Sequence, residues 1–126
     1  MKKILILTLG LLLAAPLAFA GTVKIAVLID ESGPTGDVGK PYGQGIQDAV
    51  RWFNENGGLN GDKIDLIYED YAYKVPQAIS AYKRFKREKV AAIHGWGTGD
   101  TEAMVKFISK DKIPYFSASY SQHLTV

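Results

Sequence analysis

Two stretches hold most of the side chains that could bind or react with something. The first is Gly95-Trp96-Gly97-Thr98-Gly99-Asp100-Thr101. Three glycines at alternate positions let a backbone come close to a ligand. Thr98 and Asp100 are both candidate N-caps for a following helix. A helix start with exposed N–H groups and a nearby hydroxyl suits an anion. The loop contains no Lys or Arg, so it matches a single carboxylate better than a doubly charged phosphate. A well-capped helix after a tight turn would use the same residues. The second stretch is Ser117-Ala118-Ser119-Tyr120-Ser121. Its hydroxyls and backbone groups could hold an ammonium or a carboxylate, or simply be hydrated. Trp96 and Tyr120 are candidate walls of an apolar pocket, or packing residues.

Other chemistries find little support. Gly43-Gln44-Gly45 and Gly95-Trp96-Gly97 both lack the spacing of a dinucleotide fingerprint, and there is no P-loop. No Gly-x-Ser-x-Gly elbow exists. His94 and His123 are the only histidines and form no metal-ligand pattern. Ser119 and His123 hint at a secreted α/β enzyme, but nothing marks a third member. Asp30 and Glu31 resemble the acidic cluster of a phospho-accepting domain, yet the third strand ends in His94. Zero cysteines exclude disulfides, thiolate zinc sites, a Cys nucleophile and a lipidated cysteine. The net charge of +2 and the 47% hydrophobic content exclude a strongly basic nucleic-acid binder and a disordered acidic chain.

Alternating strands and helices must position these loops. Residues 23–29 read as a buried parallel strand, apolar on both faces after Lys24. Residues 30–42 read as a loop, with Ser32-Gly33-Pro34 and glycines 36 and 39. Ile46, Ala49, Val50 and Phe53 mark a helical stripe that ends at Gly57 and Gly58. Asn60-Gly61 is a tight turn. Residues 64–68 are a second strand. Pro76 opens a second helix with Ala78, Ile79, Tyr82 and Phe85 inside. Lys83, Arg84, Lys86, Arg87 and Lys89 crowd its end, either as a basic patch for an acidic partner or, the favoured reading, as cations on a solvated face that the helix dipole favours. Residues 90–93 form a third strand, Met104, Phe107 and Ile108 a third helical face, and residues 113–116 a fourth strand. The order predicts right-handed βαβ units, an open parallel doubly wound α/β sheet, and ligands at the carboxyl ends of its strands.

The first 20 residues differ from the rest. Lys2 and Lys3 precede an apolar run over residues 4–15, then Pro16 and Ala18-Phe19-Ala20. This is the layout of a secretory signal peptide. A membrane span needs about 20 apolar residues, and Pro16 interrupts a shorter run. Cleavage after Ala20 would leave residues 21–126, without Lys2 and Lys3 and so with balanced charge. The expected compartment is the periplasm, without a lipid anchor; free secretion is the alternative.

The chain resembles the periplasmic binding proteins of branched-chain amino acid ABC transporters. The likeness rests on residues 23–29, Ser32-Gly33-Pro34 with Gly39, and Asn56-Gly57-Gly58-Leu59-Asn60-Gly61. Glu69-Asp70, Pro76-Gln77-Ala78, residues 95–101 and Ile113-Pro114 continue it. The resemblance implies a lobe of strand order 2-1-3-4, one of two that close on a small ligand and deliver it to a membrane permease. It implies no cofactor and no enzyme activity. It assigns the ligand's carboxylate and ammonium to the loops after the third and fourth strands, hence to Thr98, Ser119 and Ser121. Gly97, Trp96, Tyr120 and Tyr42 complete the candidate set, with Val38 near the family's first-loop aromatic. Trp96 is bulkier than the family's small or aliphatic residue, so amides, urea and aromatic acids stay open beside leucine-type ligands. Against several hundred residues in such receptors, residues 21–126 are expected to be a truncated first lobe. The alternatives are a single-lobe sensor or interaction module and a non-functional remnant.

Overall fold

The computed structural model describes residues 21–124. The expected leader, residues 1–20, lies outside the described residues. Four strands and three helices alternate: β1 (Thr22–Ile29), α1 (Gly36–Glu55), β2 (Lys63–Asp70), α2 (Val75–Glu88), β3 (Ala92–His94), α3 (Thr98–Asp111) and β4 (Tyr115–Phe116). A 3₁₀ turn follows at Gln122–Leu124. The strands make one parallel sheet in the order β2-β1-β3-β4. This is the expected α/β class and order.

β1 is central because its sequence tolerates burial on both faces. Ala26, Val27, Leu28 and Ile29 are all buried. It pairs with β2 from Thr22↔Lys63 to Ile29↔Asp70 and with β3 from Ile25↔Ala92 to Val27↔His94. The chain moves one way in the sheet through α1 and the other way through α2 and α3. Right-handed crossovers then put α1 on one face and α2 with α3 on the other. The main core lies under α2 and α3, where Ala78, Ala81, Tyr82, Phe85 and Met104 meet β1, Ile93 and Tyr71.

The first helix departs from the sequence reading. Residues 36–42, expected as loop, are helical, and Pro41 lies inside α1. Glycine and proline suggested a loop. Instead Gly36, Gly39 and Gly43 recur at i, i+3 and i+7 and are the buried residues of this helix. A Cβ at these positions would run into the carbonyls of Glu31 and Asp30 and the hydroxyl of Tyr68. The stripe is a contact face that brings the helix backbone against the β1 loop. The expected inner stripe is only partly inside: Ile46 and Val50 are half-buried, whereas Ala49 and Phe53 are exposed. Asn54 fixes the far end of α1 to β2, accepting from the Ile64 N–H at 2.7 Å and donating to the Ile64 carbonyl at 2.9 Å.

The turns follow their chemistry. Asn60 and Gly61 both have positive φ, and Leu59 and Asp62 exchange backbone hydrogen bonds across them, as in a two-residue hairpin. α2 carries Pro76 in its first turn and ends on Lys89 in the left-handed region. Of its basic residues, Arg84 pairs with Glu69 at 2.6 Å and Lys86 with Asp111 at 2.5 Å. In α3, Met104 is buried and Ile108 half-buried, but Phe107 is exposed.

Candidate functional site

The sheet order reverses between β1 and β3, because β2 lies beyond one and β4 beyond the other. A crevice opens outside the carboxyl ends of strands at such a point. Here it is a cleft of about 230 Å³. Thr35 and Val38 come from the entry to α1, Tyr73 from the β2–α2 turn, Trp96, Gly97 and Thr98 from the loop after β3, and Ala118 and Tyr120 from the loop after β4. Among the described residues, no charged side chain lines it.

Asp30, at the end of β1, is fully buried. Its Oδ1 accepts from the Gly33 N–H at 2.6 Å, and its Oδ2 accepts from the N–H and the hydroxyl of Thr35, both at 2.7 Å. These bonds compensate the burial of a carboxylate. They also wrap the loop so tightly that a Cβ on Gly33 would strike Asp30 and the Ala72 carbonyl. The same Thr35 hydroxyl accepts from Trp96 Nε1 at 2.9 Å.

The β2–α2 turn is held by Asp70, whose Oδ1 accepts from the N–H groups of Glu31 and Ala72 at 3.0 and 2.9 Å. Burial pushes this carboxyl up, but hydrogen bonds from Ser32 and from the Glu31, Ala72 and Ser32 backbone outweigh it and leave it below its ordinary value. Ala72 and Tyr73 are both left-handed, at φ 51° and 56°. This costly backbone turns the Tyr73 ring onto Tyr71, 5.9 Å between centroids, at the edge of the cleft.

Neither Thr98 nor Asp100 is the N-cap of α3. Gly97 takes that position in extended conformation, and Thr98 is the first helical residue. A Cβ on Gly97 would collide with Asp100, the Tyr73 ring and the Tyr71 hydroxyl, so only glycine fits. Asp100 compensates from the third helical position, where its carboxylate reaches back to the Gly97 N–H as in half of a capping box. Its Oδ1 also accepts from the Tyr71 hydroxyl at 2.6 Å, while Oδ2 has no partner. Burial is the largest influence and holds the Asp100 carboxyl above its usual range, against the lowering effect of Tyr71 and of the Asp100 and Gly97 N–H groups.

The loop after β4 is shaped by its own serines. Each of Ser117, Ser119 and Ser121 accepts from the N–H two residues on, at 3.1, 3.1 and 3.3 Å, as hydroxyl turns do. Ser119 donates to Thr98 Oγ1 at 3.1 Å, and the Tyr120 N–H donates to the same oxygen at 3.3 Å. Ser121 donates to Glu102. A hydroxyl has two acceptor positions and one hydrogen. With both acceptor positions of Thr98 used, its remaining capacity is to donate.

Of the candidates, Trp96, Gly97, Thr98 and Tyr120 meet in the cleft. Tyr120 stands 99% exposed at its lip, and Trp96 is only 8% exposed at its floor. Ser119 and Ser121 instead line a neighbouring hollow of about 330 Å³ with Thr101, Val105, Ile108, Tyr115, Ser117 and Leu124. Tyr42 lies behind the cleft, with its ring 5.2 Å from that of Trp96 and its hydroxyl 2.9 Å from His94 Nε2. The Gly95 carbonyl can only accept, so His94 Nδ1, 2.8 Å away, is the donor in that contact. Ser119 is bonded to Thr98 and Ser121, not to His123. Thr35, Tyr73 and Ala118 were not singled out from the sequence. Thr35 follows Ser32-Gly33-Pro34 directly, and that turn was the available signal.

An open parallel sheet with a cleft at its switch point is the α/β architecture whose ligand sites, where it has them, lie outside the carboxyl ends of the strands. A sequence model of the family described as "Periplasmic binding protein" matches residues 22–125, and the chain belongs to that family. It is 32% identical over 117 residues to Leu/Ile/Val-binding protein homolog 7 of Brucella suis, covering 91% of this chain and 29% of that relative. An ABC transporter substrate-binding protein from Aeropyrum pernix superposes with a TM-score of 0.75 at 44% identity, over 81% of this chain and 28% of that one. LivJ, the branched-chain amino acid transporter substrate-binding protein of Streptococcus pneumoniae in complex with isoleucine, gives 0.76 at 30% identity, over 82% and 31%. The chain thus spans under a third of the length of each of these proteins.

Proposed function

We propose that this chain is the ligand-capturing first lobe of an ABC-transporter receptor, and that it binds an amino acid with an apolar side chain through the cleft at β1, β3 and β4. The observation that carries the reading is the Thr98 hydroxyl. Its acceptor positions are occupied by Ser119 and Tyr120, so its hydrogen is available to a ligand carboxylate at the start of α3. Trp96, Tyr73, Val38 and Ala118 offer apolar surface to the side chain. Ser119 supports Thr98 from behind, and Ser121 supports the loop. Residues 1–20 act as the export signal to the periplasm, where the receptor hands its ligand to an inner-membrane permease. Val38 and Tyr120 are exposed lips against which a second lobe would close.

Titration calorimetry with L-isoleucine tests the site. Thr98→Val removes a hydrogen bond to a charged group, typically about 1.5–3 kcal/mol. The dissociation constant should rise about 10- to 150-fold. An unchanged constant would reduce Thr98 to a tie between two loops.

A further inference from the structure

We propose that Thr35 is a positioning residue that pins the Trp96 indole, making that ring the fixed wall by which the cleft selects among apolar side chains. Three observations converge. The Thr35 hydroxyl donates to Asp30 Oδ2 at 2.7 Å and accepts from Trp96 Nε1 at 2.9 Å. Its single hydrogen is committed to the buried carboxylate, so its oxygen faces the indole as an acceptor. That polarity cannot reverse, because an indole N–H only donates and a carboxylate only accepts. From the other side the Tyr42 ring rests against Trp96 at 5.2 Å, and Tyr42 is itself tied to His94. The indole is therefore held at its polar edge and on its flank, with little freedom to swing.

Asp30 makes the anchor rigid. It is fully buried and also holds the Gly33 and Thr35 N–H groups, so turning the Thr35 hydroxyl away would cost this buried carboxylate one of its three hydrogen bonds. A wall that cannot yield sets the width of the cleft and discriminates by shape. A mobile indole would adapt to larger side chains. The pinning rests on the geometry alone. Its effect on ligand choice rests on the amino-acid reading above.

The test separates the two. The chain has two tryptophans, and Trp52→Phe leaves Trp96 as the sole reporter. In that background Thr35→Val should raise the population of unpinned indole about 2- to 10-fold, the net worth of one hydrogen bond. It is read as a higher acrylamide quenching constant and lower fluorescence anisotropy. Thr35→Ser, which keeps the hydroxyl, should restore the parental values. Equal quenching in all three proteins would overturn the pinning. The second arm measures the ratio of affinities for L-isoleucine and L-phenylalanine. Thr35→Val should move that ratio toward the larger ring by about 2- to 10-fold, and Thr35→Ser should not. A constant ratio with altered fluorescence would overturn the selective role and leave the pinning. Absence of binding by the parent to either probe overturns the amino-acid reading and the selective role, while fluorescence still decides the pinning. If circular dichroism shows Thr35→Val unfolded, Thr35→Ala carries both arms, because it also removes the hydroxyl and leaves the Trp96 wall intact.

Discussion

Tyr71→Phe should destabilise the fold by an amount that depends on pH, and both the size and the sign follow from one buried pair. Tyr71 and Asp100 are almost fully buried. The Tyr71 hydroxyl donates to Asp100 Oδ1 at 2.6 Å, and Oδ2 has no partner. Removing the hydroxyl deletes the only side-chain donor to a carboxylate already short of hydrogen bonds. Hydrogen bonds to charged groups are worth about 1.5–3 kcal/mol, and that range is the expected loss at pH 7. The Asp100 carboxyl is raised above its ordinary value of 3.8, chiefly by burial, and Tyr71 opposes the rise. A carboxyl that titrates higher when folded binds more protons in the native state across the interval between the two values. Its contribution is therefore fully favourable below 3.8 and is lost as pH climbs through the folded value. Tyr71→Phe lifts that folded value further, so more stability is lost on the alkaline side of the interval.

Urea unfolding followed by far-UV circular dichroism, at pH 7 and again near pH 4, gives the two differences. The loss should be larger at pH 7. In an Asp100→Asn background, which carries no charge, Tyr71→Phe should cost about 0.5–1.5 kcal/mol, the range for a neutral hydrogen bond, at both pH values. Equal losses at the two pH values in the parental background would show that Asp100 does not ionise in the folded state over this range. A loss below about 0.5 kcal/mol at pH 7 would show that the hydroxyl is not its principal donor. Either result would refute the reasoning.

Two further substitutions probe the scaffold. Gly95→Ala would place a methyl on the Tyr115 ring and hydroxyl, and overpacking of that kind costs about 1–3 kcal/mol, readable as a lower urea midpoint. Asn54→Leu leaves both backbone groups of Ile64 without their α1 partner; about 1–3 kcal/mol and faster amide exchange at Ile64 are expected, and unchanged exchange would show that water replaces the side chain.

The fold was legible where one residue type has one use. Ala26-Val27-Leu28-Ile29 reads as a strand buried on both faces, and the inner face of α2 at Ala78, Tyr82 and Phe85 follows from helical spacing. The start of α1 was not legible. Glycine serves equally for a turn and for close packing, and only the carbonyls of Asp30 and Glu31 under Gly39 and Gly36 decide between them. The cleft was half legible. The β3 loop announced itself by its glycines and hydroxyl. Thr35 is 61 residues from the indole it holds, and no local pattern encodes that pairing. Tyr73 reaches the cleft through two left-handed residues without glycine, a conformation that sequence disfavours and Asp70 enforces. The serines of residues 117–121 were visible as hydroxyls, but not that they are spent on their own loop and on Thr98, Thr101 and Glu102.

Both acids behind the cleft serve its shape and leave its surface neutral. Asp30 engages the Gly33 and Thr35 donors, and Asp100 engages Tyr71 and the Gly97 N–H. Among the described residues, no lysine or arginine lines the cavity. On the proposed function, a carboxylate ligand is held by the Thr98 hydroxyl and by backbone dipoles, which are fixed and carry no net charge. Ion pairs between exposed groups weaken as the Debye length falls from about 10 Å at 0.1 M salt to about 3 Å at 1 M. Short hydrogen bonds inside a sheltered cleft are screened far less. The affinity for L-isoleucine should therefore change by less than about threefold over that range, measured by calorimetry in sodium chloride at constant pH. A steep decline with salt would place a cationic side chain at the ligand carboxylate, and the neutral-site account of this cleft would fall with it.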